Sequence, residues 1–170
     1  MIQQTPWIER NFNFDFPIGV FPCLLERLRY TPLRVENMIA SCNESVLTNK
    51  PNGKWSIKEL IGHLATVERL WEKRLAQFLE DETELCTADM SNQKTEENNF
   101  NNWEIEKLLI LFIEVRKSFV SKLDELTEQE LGLTALHPRL NKPMRLLDMI
   151  YFIAEHDDNE LALMRAKIKK

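Results

Sequence analysis

The sequence predicts an all-α fold: a four-helix bundle with a long crossover after the second helix and an extended aromatic arm at the N-terminus. Three observations predict it. Four glycines and seven prolines among 170 residues are below the usual share and too few for the frequent turns of sandwiches and barrels. The stretch from Trp55 to His137 contains no proline, so long helices are permitted there and shorter ones outside it. Apolar side chains recur at helical spacing in four separate stretches. With 44% apolar and 29% charged residues, the chain has material for a core and a solvated surface. Residues 1–170 read as one domain, with 1–21 as its arm.

The arm contains Asn11-Phe12-Asn13-Phe14-Asp15-Phe16 before Pro17. Alternate phenylalanines fit a strand, but no partner strand is evident, so the segment is expected to lie extended with its rings on the body. The first helical stretch runs from about Pro22 to Leu47, with Leu24, Leu25, Leu28, Val35, Met38, Ile39, Cys42 and Val46 apolar. Pro32 inside it either kinks one helix or splits it in two. Asn49 to Gly53 reads as a loop. Ser56 with Glu59 forms a capping box, after which Ile57, Leu60, Leu64, Val67, Trp71, Leu75 and Phe78 carry the second helix to about Glu80.

Residues 81–102 are polar and asparagine-rich, too long for a tight hairpin between antiparallel helices. The third helix is expected from about Trp103 to Leu126, striped by Ile105, Leu108, Leu109, Phe112, Phe119, Val120 and Leu123. Thr127 with Glu130 starts another short turn. Gly132, Pro138 and Pro143 interrupt residues 132–143, and the fourth helix is expected from about Pro143 to Lys167. Its inward positions are Leu146, Met149, Phe152, Ile153, Leu163 and Met164. No internal repeat or low-complexity tract is present.

Several function classes are disfavoured. No G-x-G-x-x-G or G-x-x-x-x-G-K-[ST] occurs, which argues against a Rossmann or P-loop nucleotide site. With 22 basic and 27 acidic residues the net charge is −5, a poor counterion for a phosphate backbone, so no nucleic-acid partner is expected. Arg27 and Arg29 read as a solvated face, and Lys167, Lys169 and Lys170 as a frayed tail. Cys23, Cys42 and Cys86 form no C-x-x-C, so neither a disulfide framework nor a zinc ribbon is indicated, and Cys42 reads as packing. The start, MIQQTPWIER, lacks a signal-peptide pattern, and no run approaches the ~18 apolar residues of a membrane span. The expectation is a cytoplasmic protein with no membrane partner.

Three polar residues fall on faces that should be apolar. His63 lies between Leu60 and Val67 on the second helix; His156 follows Phe152 and Ile153 on the fourth; Glu160 is one turn further on. Two histidines and a carboxylate from facing helices match the three-ligand set of catalytic zinc and of non-haem iron sites. The same spacing also fits a hydrogen-bonded core histidine, with Glu160 bridging His156 or facing solvent. His137 reads as a loop residue, and Asp157 and Asp158, adjacent in sequence, as a solvated edge.

The segment Gly53-Lys54-Trp55-Ser56-Ile57-Lys58-Glu59-Leu60-Ile61-Gly62-His63-Leu64 is similar to the W-S-x-x-E-x-x-x-H-L segment of the DinB-like superfamily. Met144 to Met149, leading into Ala154-Glu155-His156-Asp157-Asp158, resembles that family's last helix. The resemblance spans nearly the whole chain, including the phenylalanine arm and the Phe21-Pro22 helix start. It implies a four-helix bundle with a long connection after the second helix. It also implies a divalent metal held by a histidine on the second helix and an H-x-x-x-H pair on the fourth, which here fall on His63, His156 and Glu160.

Glu160 stands where the family usually has histidine, and Asn159 where one is often seen. Glutamate still binds zinc, nickel, iron or manganese; its charge favours a harder ion and makes bound water less acidic. The implied function is a metal-dependent enzyme of hydrolase or thiol-transferase type acting on a small molecule, low-molecular-weight thiols such as bacillithiol or mycothiol included, with the metal as Lewis acid. Homodimerisation is a family habit. Glu59 and Asp157 are candidate partners for the imidazoles. The alternative is a non-catalytic structural or interaction bundle that lost the metal when Glu160 replaced the histidine.

Overall fold

A computed structural model of the chain describes residues 3–91 and 93–169. Met1, Ile2, Asn92 and Lys170, at the start of the arm, inside the long connection and at the end of the basic tail, lie outside the described residues. The elements are α1 (Phe21–Arg29), α2 (Thr31–Ile39), α3 (Glu44–Leu47), α4 (Ile57–Leu79), α5 (Gln93–Glu97), α6 (Ile105–Asp124), α7 (Glu128–Leu131), β1 (Thr134–His137), β2 (Lys142–Arg145) and α8 (Leu146–Ile168). α1 with α2 forms one member of the bundle, and α4, α6 and α8 the other three. No helix among the described residues is long and apolar enough to cross a membrane.

Of the two outcomes open at Pro32, the structure shows the split. Proline lacks the N–H that would bond the Leu28 carbonyl, and it sits instead in the first turn of α2. The carbonyls left by the break find other donors. Arg116 Nη1 on α6 reaches Leu28 O at 3.1 Å, and Thr31 Oγ1 lies 2.9 Å from Arg27 O. α4 opens as expected: Glu59 N donates to Ser56 Oγ at 3.1 Å and Ser56 N to Glu59 Oε2 at 2.7 Å, a cap that stabilises by ~1 kcal/mol. Thr127 and Glu130 form a second such box at α7.

Contacts across the bundle set its directions. Lys58 meets the Trp103 carbonyl, Glu68 meets Arg116 and Glu72 meets Lys122, so α4 and α6 run parallel. His63 meets His156 and Trp71 meets Phe152, so α8 runs antiparallel to α4. Two parallel neighbours require the chain to return along the bundle's full length, which is the task of residues 80–104. That return passes Cys86 beside Arg74, then Glu96 beside Trp55, and ends where Phe100 lies on Gly62. A Cβ on residue 62 would overlap the Phe100 ring.

The structure departs from expectation between residues 132 and 145, where an antiparallel hairpin pairs Thr134 with Arg145 and His137 with Lys142. Pro143 is tolerated because it faces Leu136, whose N–H and carbonyl turn outward to Thr83 and Leu85. α8 therefore begins at Leu146, three residues after the expected start, with Asp148 accepting from Arg145 N at 2.7 Å. Leu163 is exposed rather than inward, and Leu161 and Met164 are buried on that turn.

The arm is extended, as expected. Phe12 is buried, and Trp7, Phe12 and Phe16 set their rings about 5 Å from those of Phe152 and Tyr151. Arg145 Nη2 holds the arm by the Phe14 and Phe16 carbonyls.

The core falls into two apolar clusters, one around Phe78, Phe119, Phe152 and Leu28, the other around Ile61, Leu108, Phe112 and Met164. Between them lies a buried polar layer. The five N–H donors of Arg116 meet Glu68, Asp157 and the Leu28 carbonyl, and all three charged side chains are buried. Asp157 is thus no solvated edge. Asp158 is partly buried and pairs with Arg27 and Arg34; Arg27 also holds Glu155 at 2.8 Å, so that arginine belongs to an ion-pair network and not to a free face. Cys42 packs partly buried against the second cluster.

Candidate metal centre

His63, His156 and Glu160 converge at the height of the polar layer, on the side of the bundle covered by the arm. α4 supplies His63 two turns after its Ser56 cap, and α8 supplies the other two on one face. His63 Nε2 and His156 Nε2 are 3.2 Å apart, and His156 Nε2 is 3.8 Å from Glu160 Oε1. One donor atom from each residue lies within 4.8 Å of the others. Two nitrogens bound to one tetrahedral zinc at its usual bond length would stand ~3.3 Å apart, so the imidazole pair already has ligand spacing.

Electrostatics agrees with that geometry. Burial, with His156 adding to it against a weaker opposing pull from Asp157, pushes the His63 pKa down to about 3. Burial, then Arg116 and Arg139, does the same to His156. Both imidazoles are therefore neutral near pH 7, the form that binds metal. Burial pushes the Glu160 carboxyl up to about 7, against the hydrogen bond from Asn159. A buried carboxylate whose nearest imidazole is neutral lacks a counter-charge, and a divalent cation between the three would supply it. The donor set and its charge state fit such an ion.

Glu160 takes neither of the alternatives open in the sequence. It is buried, and at 3.8 Å it does not hydrogen-bond His156. Its Oε1 accepts from Asn159 Nδ2 at 3.0 Å, and Gln4 in the arm donates to Asn159 Oδ1 at 2.7 Å. Glu59 and Asp157 do not serve the imidazoles. Glu59 is used by the Ser56 cap and by Lys50 at 2.6 Å, and Asp157 turns to Arg116 and Thr31. His156 Nδ1 is buried with no hydrogen-bond partner among the described residues, so none of their carboxylates orients that ring. Its surroundings are aromatic: the Trp7 and Trp71 rings lie 5.2 and 5.8 Å from it, and Trp55 lies 4.9 Å from His63.

The cluster opens into a cavity of about 840 Å³ bounded by Trp7, Val67, Leu70, Trp71 and Phe152 together with the three candidate ligands. His137 is part of it. It is buried rather than a free loop residue, because the hairpin folds it against α4, where Arg74 Nη1 donates to its Nε2 at 3.1 Å. Burial, then Arg74 and Arg139, lowers its pKa to about 4. Arg74 and Arg139 complete the wall. The sequence carries no local signal for either: Arg74 occupies a mid-helix position, and Arg139 reaches the cavity only because the hairpin turns there.

A model of the DinB superfamily matches residues 27–164 of the chain. Among solved structures, one similar chain is described as "YfiT from Bacillus subtilis is a probable metal-dependent hydrolase with an unusual four-helix bundle topology". It aligns over 95% of this chain and 93% of its own, with a TM-score of 0.81 and 16% identity. At that identity the likeness shows the fold. A comparison with curated proteins found no match.

Proposed function

The chain belongs to the DinB superfamily, and from that membership and the geometry of its centre we propose that it is a metal-dependent enzyme, of the hydrolase type named for YfiT. His63, His156 and Glu160 would hold one divalent transition ion. The observation that carries this reading is the meeting of three donor atoms within 4.8 Å at the wall of a cavity of small-molecule size. Two imidazoles and a carboxylate are the donors of zinc hydrolases and of non-haem iron sites, so zinc, iron, manganese and nickel are the ions to test. Bound there, the ion supplies Lewis acidity, which lowers the pKa of a coordinated water or thiol.

The chain's own residues prepare the site. α4 and α8 fix the two imidazoles in their neutral form, and Asn159, held by Gln4, orients the Glu160 carboxylate. Trp7, Trp55 and Trp71 set their rings 4.9 to 5.8 Å from the imidazoles, an apolar wall that strengthens charge interactions on that side.

Metal analysis of the purified protein tests the proposal. The expected result is about one equivalent of transition metal per chain, lost in His63→Ala. A wild-type protein that is metal-free, and whose melting temperature ignores added zinc, nickel, manganese and iron, overturns it and leaves the non-catalytic bundle. For metal-loaded protein, ester and amide hydrolysis is measured beside transfer of a low-molecular-weight thiol; turnover confined to the thiol assay replaces the hydrolase type with the transferase.

A further inference from the structure

The cavity has an electrostatic character opposite to that of the chain. Against a net charge of −5, its lining carries Arg69, Lys73, Arg74 and Arg139 with Asp89 and Glu160 as the acids. Arg69 and Lys73 are exposed at the rim; Arg74 and Arg139 lie further in. Arg10, Arg27, Arg29, Arg34, Arg116 and Arg145 each hold a carboxylate. Arg69, Arg74, Arg139 and Arg165 hold none among the described residues, and of these four only Arg74 and Arg139 are withdrawn from solvent.

Arg74 is buried and no carboxylate reaches it among the described residues: its partners are the Cys86 carbonyl at 2.9 and 3.2 Å, the Cys86 side chain and His137 Nε2 at 3.1 Å. Arg139 donates from Nη1 to the Ile8 carbonyl at 3.3 Å, and its Nη2 is shielded from solvent with no hydrogen-bond partner among the described residues. Aromatic faces hold this second guanidinium in place, with Trp7 at 5.7 Å and Phe152 at 5.5 Å from ring centroid to Cζ. Burial pulls both guanidiniums below their ordinary pKa, for Arg74 against the opposing pull of the Cys86 side chain and with a smaller push from Arg139. Two like charges without an anion between them leave charge-assisted hydrogen bonds unmade.

We infer that this cavity takes an organic anion, a small molecule whose carboxylate meets Arg139 and Arg74 and whose apolar body lies against Trp7, Trp71 and Phe152. The inference rests on reading the cavity as the substrate site and names the substrate's chemical class. A carboxylate suits the site because a planar guanidinium offers two parallel N–H groups to its two oxygens. The walls nearest the pair are aromatic, so the rest of the ligand is apolar. His137 cannot compensate the charge itself: its imidazole, held neutral by burial and by the two arginines, carries no negative charge, and a second ring proton would add a third cation.

The test is a calorimetric titration of the full-length protein with 2-naphthoate, its neutral isostere 2-naphthamide and inorganic phosphate, on protein as purified and again after chelator treatment. Naphthoate is expected to bind at least about tenfold more tightly than naphthamide in both preparations. Arg139→Gln and Arg139→Ala should remove that preference while keeping the wild-type circular dichroism spectrum. Equal affinities for naphthoate and naphthamide, a preference untouched in a folded Arg139 variant, or phosphate binding tighter than naphthoate overturns the inference. The chelated arm keeps the two readings apart. A wild type that binds no metal but still prefers naphthoate through Arg139 sinks the metal centre alone, whereas a metal-binding protein without the preference sinks the anion site alone.

Discussion

Replacing Arg116 by methionine should destabilise this protein more than any other single change in the polar layer. The arginine is buried and satisfies two buried carboxylates and one backbone carbonyl at once. Methionine fills similar space but strands Glu68, Asp157 and the Leu28 carbonyl. Glu68 is already marginal as an anion: burial pushes its pKa up to about 7 even with Arg116 in place, and its Oε2 has no hydrogen-bond partner among the described residues. Breaking a buried pair by removing one member costs about 3–5 kcal/mol. For a chain of this length that corresponds to a fall in melting temperature of about 6–20 °C.

The assay is thermal and urea unfolding followed by circular dichroism, at pH 7.5 and pH 5. Without the guanidinium, Glu68 gains a higher folded-state pKa, so its penalty is largest at the higher pH and shrinks on acidification. Arg116→Met combined with Glu68→Gln should therefore recover part of the loss at pH 7.5 and little at pH 5. An Arg116→Met protein melting within about 2 °C of wild type at pH 7.5 would refute the reasoning, as would a penalty that grows on acidification.

Other perturbations have equally definite outcomes. For the metal-free protein, Glu68 and Glu160, with pKa raised to about 7, contribute stability that is full below their unfolded value of ~4.3 and lost as pH rises through 7. His63, His156 and His137, lowered to between about 3 and about 4, contribute stability that is full above ~6.5 and lost toward pH 3. A melting temperature measured across pH 4–9 should peak near pH 6–7, and a maximum at either end contradicts the assignment. Gly62→Ala forces the Phe100 ring off α4 at a cost of about 1–3 kcal/mol. Adding Phe100→Leu should return part of it, and simple additivity in urea unfolding would show that the two residues do not meet. Asn159→Ala releases Glu160 and should weaken metal binding by roughly 10–100-fold in a dialysis titration; an unchanged affinity would leave that hydrogen bond without a role at the centre.

What the sequence revealed and what it hid divide by distance along the chain. Ser56 with Glu59 and Thr127 with Glu130 are three residues apart, so their caps were legible. His63, His156 and Glu160 were legible as polar intrusions on apolar faces, because helical pitch alone assigns the face. The length of residues 81–102 excluded a tight antiparallel return, and α4 and α6 are indeed parallel. Hidden were the roles set by remote partners. Asp157 looked like a surface acid because nothing near it in sequence announces Arg116, 41 residues away. His137 looked like a loop residue because Arg74 is 63 residues off. The hairpin was masked by Gly132, Pro138 and Pro143, which signal breaks and say nothing of pairing.

The hydrogen bonds from Gln4 to Asn159 and from Asn159 to Glu160 bear on how the protein is handled at the bench. The fourth residue of the chain is two side chains from a candidate ligand, and Trp7 is part of the cavity wall. A purification tag or fusion partner joined close to Gln4 is therefore expected to disturb the candidate centre. The other end is safer: α8 continues eight residues from Glu160 to Ile168, about 12 Å along the helix axis. A tag placed there, or an upstream one cut away before metal and ligand titrations, keeps the measured affinities those of the native centre.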